Sequence, residues 1–286
     1  MHLNKLGNKK GSIPQVGFGT YQLQGNNCKQ AIFEALKLGY NHIDTASIYK
    51  NEQEINLIIN DKQLNIQREN LFITSKISPA EQGTQNSLNA VEQILKRLNV
   101  SYLDLVLIHW PGVSKYKLDD PKIAQIRLES WKSLIDLKNK GVAKHIGVSN
   151  FNINHLQHLF ENSDVKPEVN QFEIHPLCYD KQLIKFCEDN NIIIEAYSSL
   201  ARQDEKVIKN QFIVNLSLKY KKTVPQILLR WAIQHNFVII PKSKTPKYIQ
   251  ENLNIFDFEI SQEDMQKLDD MNQNYHTCWD PSAVLY

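Results

Sequence analysis

The chain has 286 residues, of which 42% are hydrophobic and 22% charged, with a formal net charge of +2. Such values suit a globular chain with a sizeable core, and its basic and acidic residues are interspersed, so neither a nucleic-acid stripe nor a membrane-binding surface is expected. The length fits two average domains, but an α/β barrel uses about 250 residues as one.

The first seven residues lack the apolar core of a signal peptide, and apolar stretches such as 105–108 and 192–194 are strand-sized against the roughly 20 residues of a membrane span. A cytoplasmic protein is expected. Residues 3–13 set two short apolar stretches around a polar, glycine-bounded turn, which reads as a β-hairpin plugging the bottom of a barrel. A strand-like run follows at 16–18. Residues 27–38 place Ala31, Ile32, Ala35 and Leu36 at the helical period, with Gly39 as a stop. The next runs are 42–44 and 71–77. Residues 87–98 repeat the helical period through Leu88, Val91, Ile94, Leu95 and Leu98, with Thr84 and Asn86 as candidate caps. Further runs fall at 103–109, 142–148, 169–174, 192–197 and 237–240. Residues 269–286 read as a loop that ends in Trp279, Pro281 and Tyr286.

Eight strand-like runs alternating with helical segments form the pattern of parallel βαβ units. An open doubly wound sheet could be built this way, but eight units in this length favour closure into a (β/α)8 barrel, a TIM-barrel α/β fold. Without a linker or a composition shift, residues 1–286 read as one domain. Cys28, Cys178, Cys187 and Cys278 form no C-x-x-C pair, so they read as free thiols in a reducing compartment, and no metal is expected.

Catalytic groups of such barrels stand at the C-terminal ends of the strands. There the second run ends in Asp44, with Tyr49 five residues on, the third carries Lys76, and the fourth ends in His109. Alone, each reads as a cap, a solvated charge or a structural histidine. Together they suggest acid–base work. Lys76 follows an apolar run and needs a partner, which Asp44 can supply. The ammonium should lower the pKa of Tyr49, and a phenol so tuned can protonate a carbonyl oxygen that His109 orients. Competing motifs fail. The segment Gly17-Phe18-Gly19-Thr20-Tyr21-Gln22 lacks the third glycine of a dinucleotide fingerprint, and Gly147-Val148-Ser149-Asn150-Phe151 lacks the last glycine of a nucleophile elbow. His155 and His158 share a helix face without a third metal ligand.

The segments Gly39-Tyr40-Asn41-His42-Ile43-Asp44-Thr45-Ala46-Ser47-Ile48-Tyr49-Lys50-Asn51-Glu52, Lys144-His145-Ile146-Gly147-Val148-Ser149-Asn150-Phe151 and Ile240-Pro241-Lys242-Ser243 resemble the signatures of the aldo-keto reductase family. The resemblance implies a catalytic tetrad of Asp44, Tyr49, Lys76 and His109, and an extended NADP(H) across the barrel mouth. Ser149, Asn150 and Gln171 would hold the carboxamide, and Tyr197 would stack on the nicotinamide. Thr20 would lie nearby, with Ser198, Leu200 and Arg202 along the pyrophosphate. Lys242 and Ser243 would grip the 2′-phosphate, and Glu251 and Asn252 the adenine. Two positions depart from the pattern: Tyr248 stands where the family carries arginine, and Ser199 where it carries proline. Tyr21, Trp110 and Trp279 would line an open pocket suited to apolar carbonyl compounds, with broad substrate use. The implied activity is NADPH-dependent reduction of aldehydes and ketones by a monomer. The alternative is a non-catalytic nucleotide-binding or regulatory subunit on the same fold.

Overall fold

The computed structural model describes residues 5–6 and 13–285. Strands β1 (Lys5–Leu6) and β2 (Ile13–Pro14) pair antiparallel, with Leu6 opposite Ile13. The turn of the expected hairpin, 7–12, lies outside the described residues, as does Tyr286. Eight parallel strands follow in sequence order: β3 (Phe18–Gly19), β4 (His42–Asp44), β5 (Phe72–Ile77), β6 (Leu103–Ile108), β7 (Ala143–Ser149), β8 (Val169–Glu173), β9 (Ile193–Tyr197) and β10 (Val238–Ile239).

The sheet closes on itself. Val16 bridges Ile239 in parallel, the Gly17 amide donates to the Ile239 carbonyl at 2.8 Å, and the Ile239 amide donates to the Gln15 carbonyl at 2.9 Å. This seam excludes the open doubly wound sheet. It also explains Gly19, because a Cβ there would lie 2.6 Å from the Ile240 carbonyl oxygen.

Helices α1 (Gly25–Lys37), α2 (Glu52–Ile59), α3 (Thr84–Leu98), α4 (Lys122–Asn139), α5 (Ile153–Asn162) and α6 (Lys181–Asp189) each link one barrel strand to the next. Three more, α7 (Glu205–Ile208), α8 (Gln211–Tyr220) and α9 (Val224–Gln234), lie between β9 and β10, while α10 (Pro246–Glu251) and α11 (Gln262–Asp269) follow β10. Gly39 ends α1 as expected, at φ +98° with its amide on Leu36. The expected caps of α3 shift: Thr84 is the first helical residue, and Gly83 at φ 101° holds the cap position.

Alternation along each strand sorts side chains into two clusters. Ile73, Val106, Ile108, Ile146, Val148 and Ala196 face outward and join the helices in the large core. Phe72, Leu105, Leu107, Val169 and Val238 face inward, and Ile13 from the hairpin packs with them. The expected plug is therefore an apolar floor at the N-terminal end of the barrel, and it leaves the C-terminal end for polar groups.

Candidate active site

The floor gives way to charge two residues further along the same strands. Thr74 pairs with Asp44 across the β4–β5 ladder, so Lys76 emerges one inward position beyond it. The Lys76 Nζ donates to both Asp44 carboxylate oxygens at 2.7 Å and to the Thr45 carbonyl at 2.9 Å, and both side chains are buried. A buried ion pair survives only when its remaining groups are also satisfied. Gln171 from β8 meets that need, donating through Nε2 to Asp44 Oδ2 at 2.9 Å.

Tyr49 closes a 3-10 turn, Ser47–Tyr49, just after β4. Its ring centre lies 5.2 Å from Lys76 Nζ, with the His109 ring edge-on at 5.7 Å and Tyr21 at 5.1 Å. The four side chains singled out at the strand ends thus meet in one place. Burial pushes the Tyr49 phenol up to about 12, and the opposing pull of Lys76 does not overcome it. This corrects the expected lowering, and the phenol remains protonated at neutral pH. Burial also works against the charge of Lys76, but Asp44, Tyr49 and Glu195 outweigh it and raise its pKa. His109 is driven well below the usual imidazole range, by burial first and Lys76 second, so its ring is neutral.

The residues implied for the carboxamide form a connected set. The Ser149 hydroxyl donates to the Gln171 carbonyl at 2.8 Å. Asn150 Nδ2 donates to the His109 carbonyl at 2.9 Å and to Ser149 Oγ at 3.0 Å. The Tyr197 hydroxyl donates to Asn150 Oδ1 at 2.7 Å. Thr20 is buried below them, its hydroxyl on the Asp44 carbonyl at 2.9 Å. After β9 the backbone turns left-handed at Ser198, Ala201, Arg202 and Gln203 with no glycine among them. Such conformations cost about 1–3 kcal/mol each and concentrate at ligand clamps. Leu200 anchors this loop by packing on the core.

Beyond β10, Lys242 lies near Lys244 and Arg202. Partial burial and then these two cations lower its pKa. None of the three pairs with a carboxylate among the described residues. Ser243 Oγ accepts from the Thr245 amide at 3.1 Å, and Tyr248 is exposed on α10. Glu251 and Asn252 stand at the far end of that helix, with Glu251 accepting from Thr223 at 2.6 Å. At the mouth, Trp279 from the C-terminal segment packs on Trp110, ring centres 4.6 Å apart. His155 is occupied structurally: its Nδ1 accepts from the Asn152 amide and its Nε2 meets the Val284 carbonyl at 2.9 Å.

Glu195, which the sequence reading missed, joins the buried network around Gln171. It is fully buried on β9, accepts from Gln171 Nε2 at 3.0 Å, and its Oε2 has no hydrogen-bond partner. Burial first, then the charge of Asp44, pushes it up to about 8. The signal was present, since an acid inside the apolar run 192–197 demands a partner.

Residues 15–273 match the model of the Aldo/keto reductase family, and the chain belongs to that family. It is accordingly an oxidoreductase. It is 40% identical over 275 residues to a glyoxal reductase of Bacillus subtilis (strain 168), covering 96% of this chain and 94% of that one. Among solved structures, an aldo-keto reductase from a Medee basin deep-sea metagenome superposes with a TM-score of 0.89 at 37% identity, covering 98% of both chains. A Bombyx mori aldo-keto reductase in complex with NADP superposes with a TM-score of 0.86 at 30% identity, covering 96% of this chain and 94% of that one.

Proposed function

We propose that the protein reduces small aldehydes and ketones, dicarbonyls such as glyoxal among them, with NADPH as reductant and Tyr49 as proton donor. The observation that carries the reading is the buried Lys76–Asp44 pair under the protonated phenol of Tyr49. NADPH, when bound, supplies the hydride that reduces the carbonyl carbon. The chain does the rest. Neutral His109 orients the carbonyl by a ring N–H donation. Tyr49 gives its hydroxyl proton to the carbonyl oxygen, and Lys76 stabilises the phenolate left behind. Solvent then returns a proton to Tyr49. A positioned acid of this kind contributes about 10²–10⁴-fold.

The residues fit the dinucleotide. Lys242, Lys244 and Arg202 gather positive charge without an acidic partner, which suits a 2′-phosphate and pyrophosphate. Ser149, Asn150 and Gln171 offer amide and hydroxyl groups to a carboxamide beside Tyr197. Tyr21, Trp110 and Trp279 give the mouth aromatic walls suited to a small apolar carbonyl. We read the chain as one barrel domain acting as a cytoplasmic monomer. No helix among the described residues is long and apolar enough to cross a membrane.

The test is NADPH oxidation, followed by absorbance, with glyoxal, methylglyoxal and a panel of larger carbonyls. Turnover with the small dicarbonyls supports the reading. Tight NADPH binding without turnover on any carbonyl would overturn it in favour of the regulatory-subunit alternative.

A further inference from the structure

Beside the site described above, three side chains distant in sequence converge. Glu173 ends β8, Cys178 closes the turn that follows it, and His276 comes from the C-terminal segment. Their donor atoms all lie within 4.8 Å of one another. We propose that Glu173, Cys178 and His276 form a binding site for a zinc-like divalent cation that staples the C-terminal segment to the barrel.

The spacing carries the argument. Around a tetrahedral zinc with Zn–S of about 2.3 Å and Zn–N and Zn–O of about 2.0–2.2 Å, sulfur and nitrogen stand about 3.5 Å apart and nitrogen and oxygen about 3.3 Å. Cys178 Sγ lies 3.5 Å from His276 Nδ1, and His276 Nδ1 lies 3.2 Å from Glu173 Oε2. Two of the three ligand–ligand edges of such a tetrahedron are therefore already in place, and the third pair of donors lies within 4.8 Å. Carboxylate, thiolate and imidazole are also the donor types zinc takes.

Ligands need an orienting shell, and Glu173 has one. Its Oε1 accepts from the Thr277 amide at 2.9 Å and the Thr277 hydroxyl at 2.5 Å, with His175 Nε2 at 3.2 Å. The Cys278 amide donates to Oε2 at 3.2 Å. There is also a way in. A cavity of about 200 Å³ is lined by all three ligands together with Asn150 and Tyr197. Its room leaves the fourth coordination position to water.

The charges balance. Cys178 releases its thiol proton to solvent, His276 presents Nδ1 with its proton on Nε2, and Glu173 is already anionic. One divalent ion thus meets two negative ligands and one neutral one. The consequence is mechanical: Trp279 is three residues from His276, so an occupied site would hold the tail against Trp110.

The test uses tag-free, chelator-treated full chain titrated with Co²⁺ and followed by absorbance, with Zn²⁺ as competitor. The expected result is one equivalent of Co²⁺ with a near-ultraviolet thiolate charge-transfer band, bleached by Zn²⁺. Cys178→Ser should abolish the band, and His276→Ala should weaken binding at least tenfold. Cys278→Ser should keep it. Thermal melts without metal establish that each variant is folded. Hydrogen exchange at Thr277 and Cys278 should slow when Zn²⁺ is added to wild type. No band in wild type, or a band that survives Cys178→Ser and vanishes in Cys278→Ser, would overturn the proposal. A failed NADPH assay would leave this result untouched, because the cobalt readout needs no turnover.

Discussion

The lower and upper halves of the barrel interior are built from the same strands and behave oppositely. Phe72 and Lys76 share one face of β5, and Leu107 on β6 precedes His109 by one inward step. Below, Phe72, Leu105, Leu107, Val169, Val238 and Ile13 make a floor without charge. Above, Asp44, Lys76, Gln171 and Glu195 make a buried polar network. The lower half can be judged by volume, because apolar contacts add up without regard to direction. The upper half is judged by partners, because each buried polar group is costly once its neighbour is removed.

The sharpest way to break this contrast is Lys76→Met. It strips Tyr49 of the charge that would stabilise the proposed phenolate, and it leaves Asp44 buried without its cation. Reduction should fall by about 10²–10⁴-fold, and stability by about 3–5 kcal/mol, the usual cost of breaking a buried pair. Steady-state kinetics and urea unfolding read the two effects. Unchanged unfolding would mean that Asp44 is not an orphaned charge in the variant. The matching lower-half change, Leu107→Ala, should cost about 2–5 kcal/mol through transfer and cavity terms. Turnover per folded molecule should stay within twofold, and a larger loss would mean that the halves are not separable.

Smaller effects belong to the rim. Tyr248→Arg adds a planar cation near the proposed 2′-phosphate site and should tighten NADPH about tenfold, consistent with about 1.5–3 kcal/mol for a charge-assisted hydrogen bond. NADH should change little. Lys242→Ala should weaken NADPH alone. Dissociation constants from fluorescence quenching check both, and equal losses for the two dinucleotides would remove the phosphate assignment.

The remaining effect is a slope. Glu195 has its pKa pushed up to about 8, so the folded chain holds this proton where the unfolded chain has released it. Stability from that proton is fully present below the ordinary carboxylate range and is lost as pH rises through about 8. Glu195→Gln keeps an acceptor for Gln171 and removes the titration. Its unfolding free energy should therefore fall less than wild type between pH 5 and pH 8.5. Parallel slopes would show that Glu195 ionises freely.

This contrast also divides what could be read in advance. The barrel was legible because strand and helix periods recur with turn signals, and Gly39 stops its helix where the pattern breaks. Asp44, Lys76 and His109 were legible because strand ends in a closed barrel share one face. The Tyr49 pKa was misjudged because a sequence names the neighbouring charge and hides the depth of burial, which here wins. Glu195 passed unnoticed inside an apolar run, although its charge was the clue. Glu173, Cys178 and His276 could not be joined, since Glu173 and His276 lie 103 positions apart and only the folded tail brings them together.

The proposed delivery of a proton by Tyr49 is tested most directly by Tyr49→Phe. The substitution removes one hydroxyl and leaves the Lys76–Asp44 pair intact. Single-turnover reduction of glyoxal by the NADPH complex should slow by about 10²-fold or more, with NADPH affinity and unfolding free energy close to wild type. Wild-type reduction by the Phe variant would contradict the account.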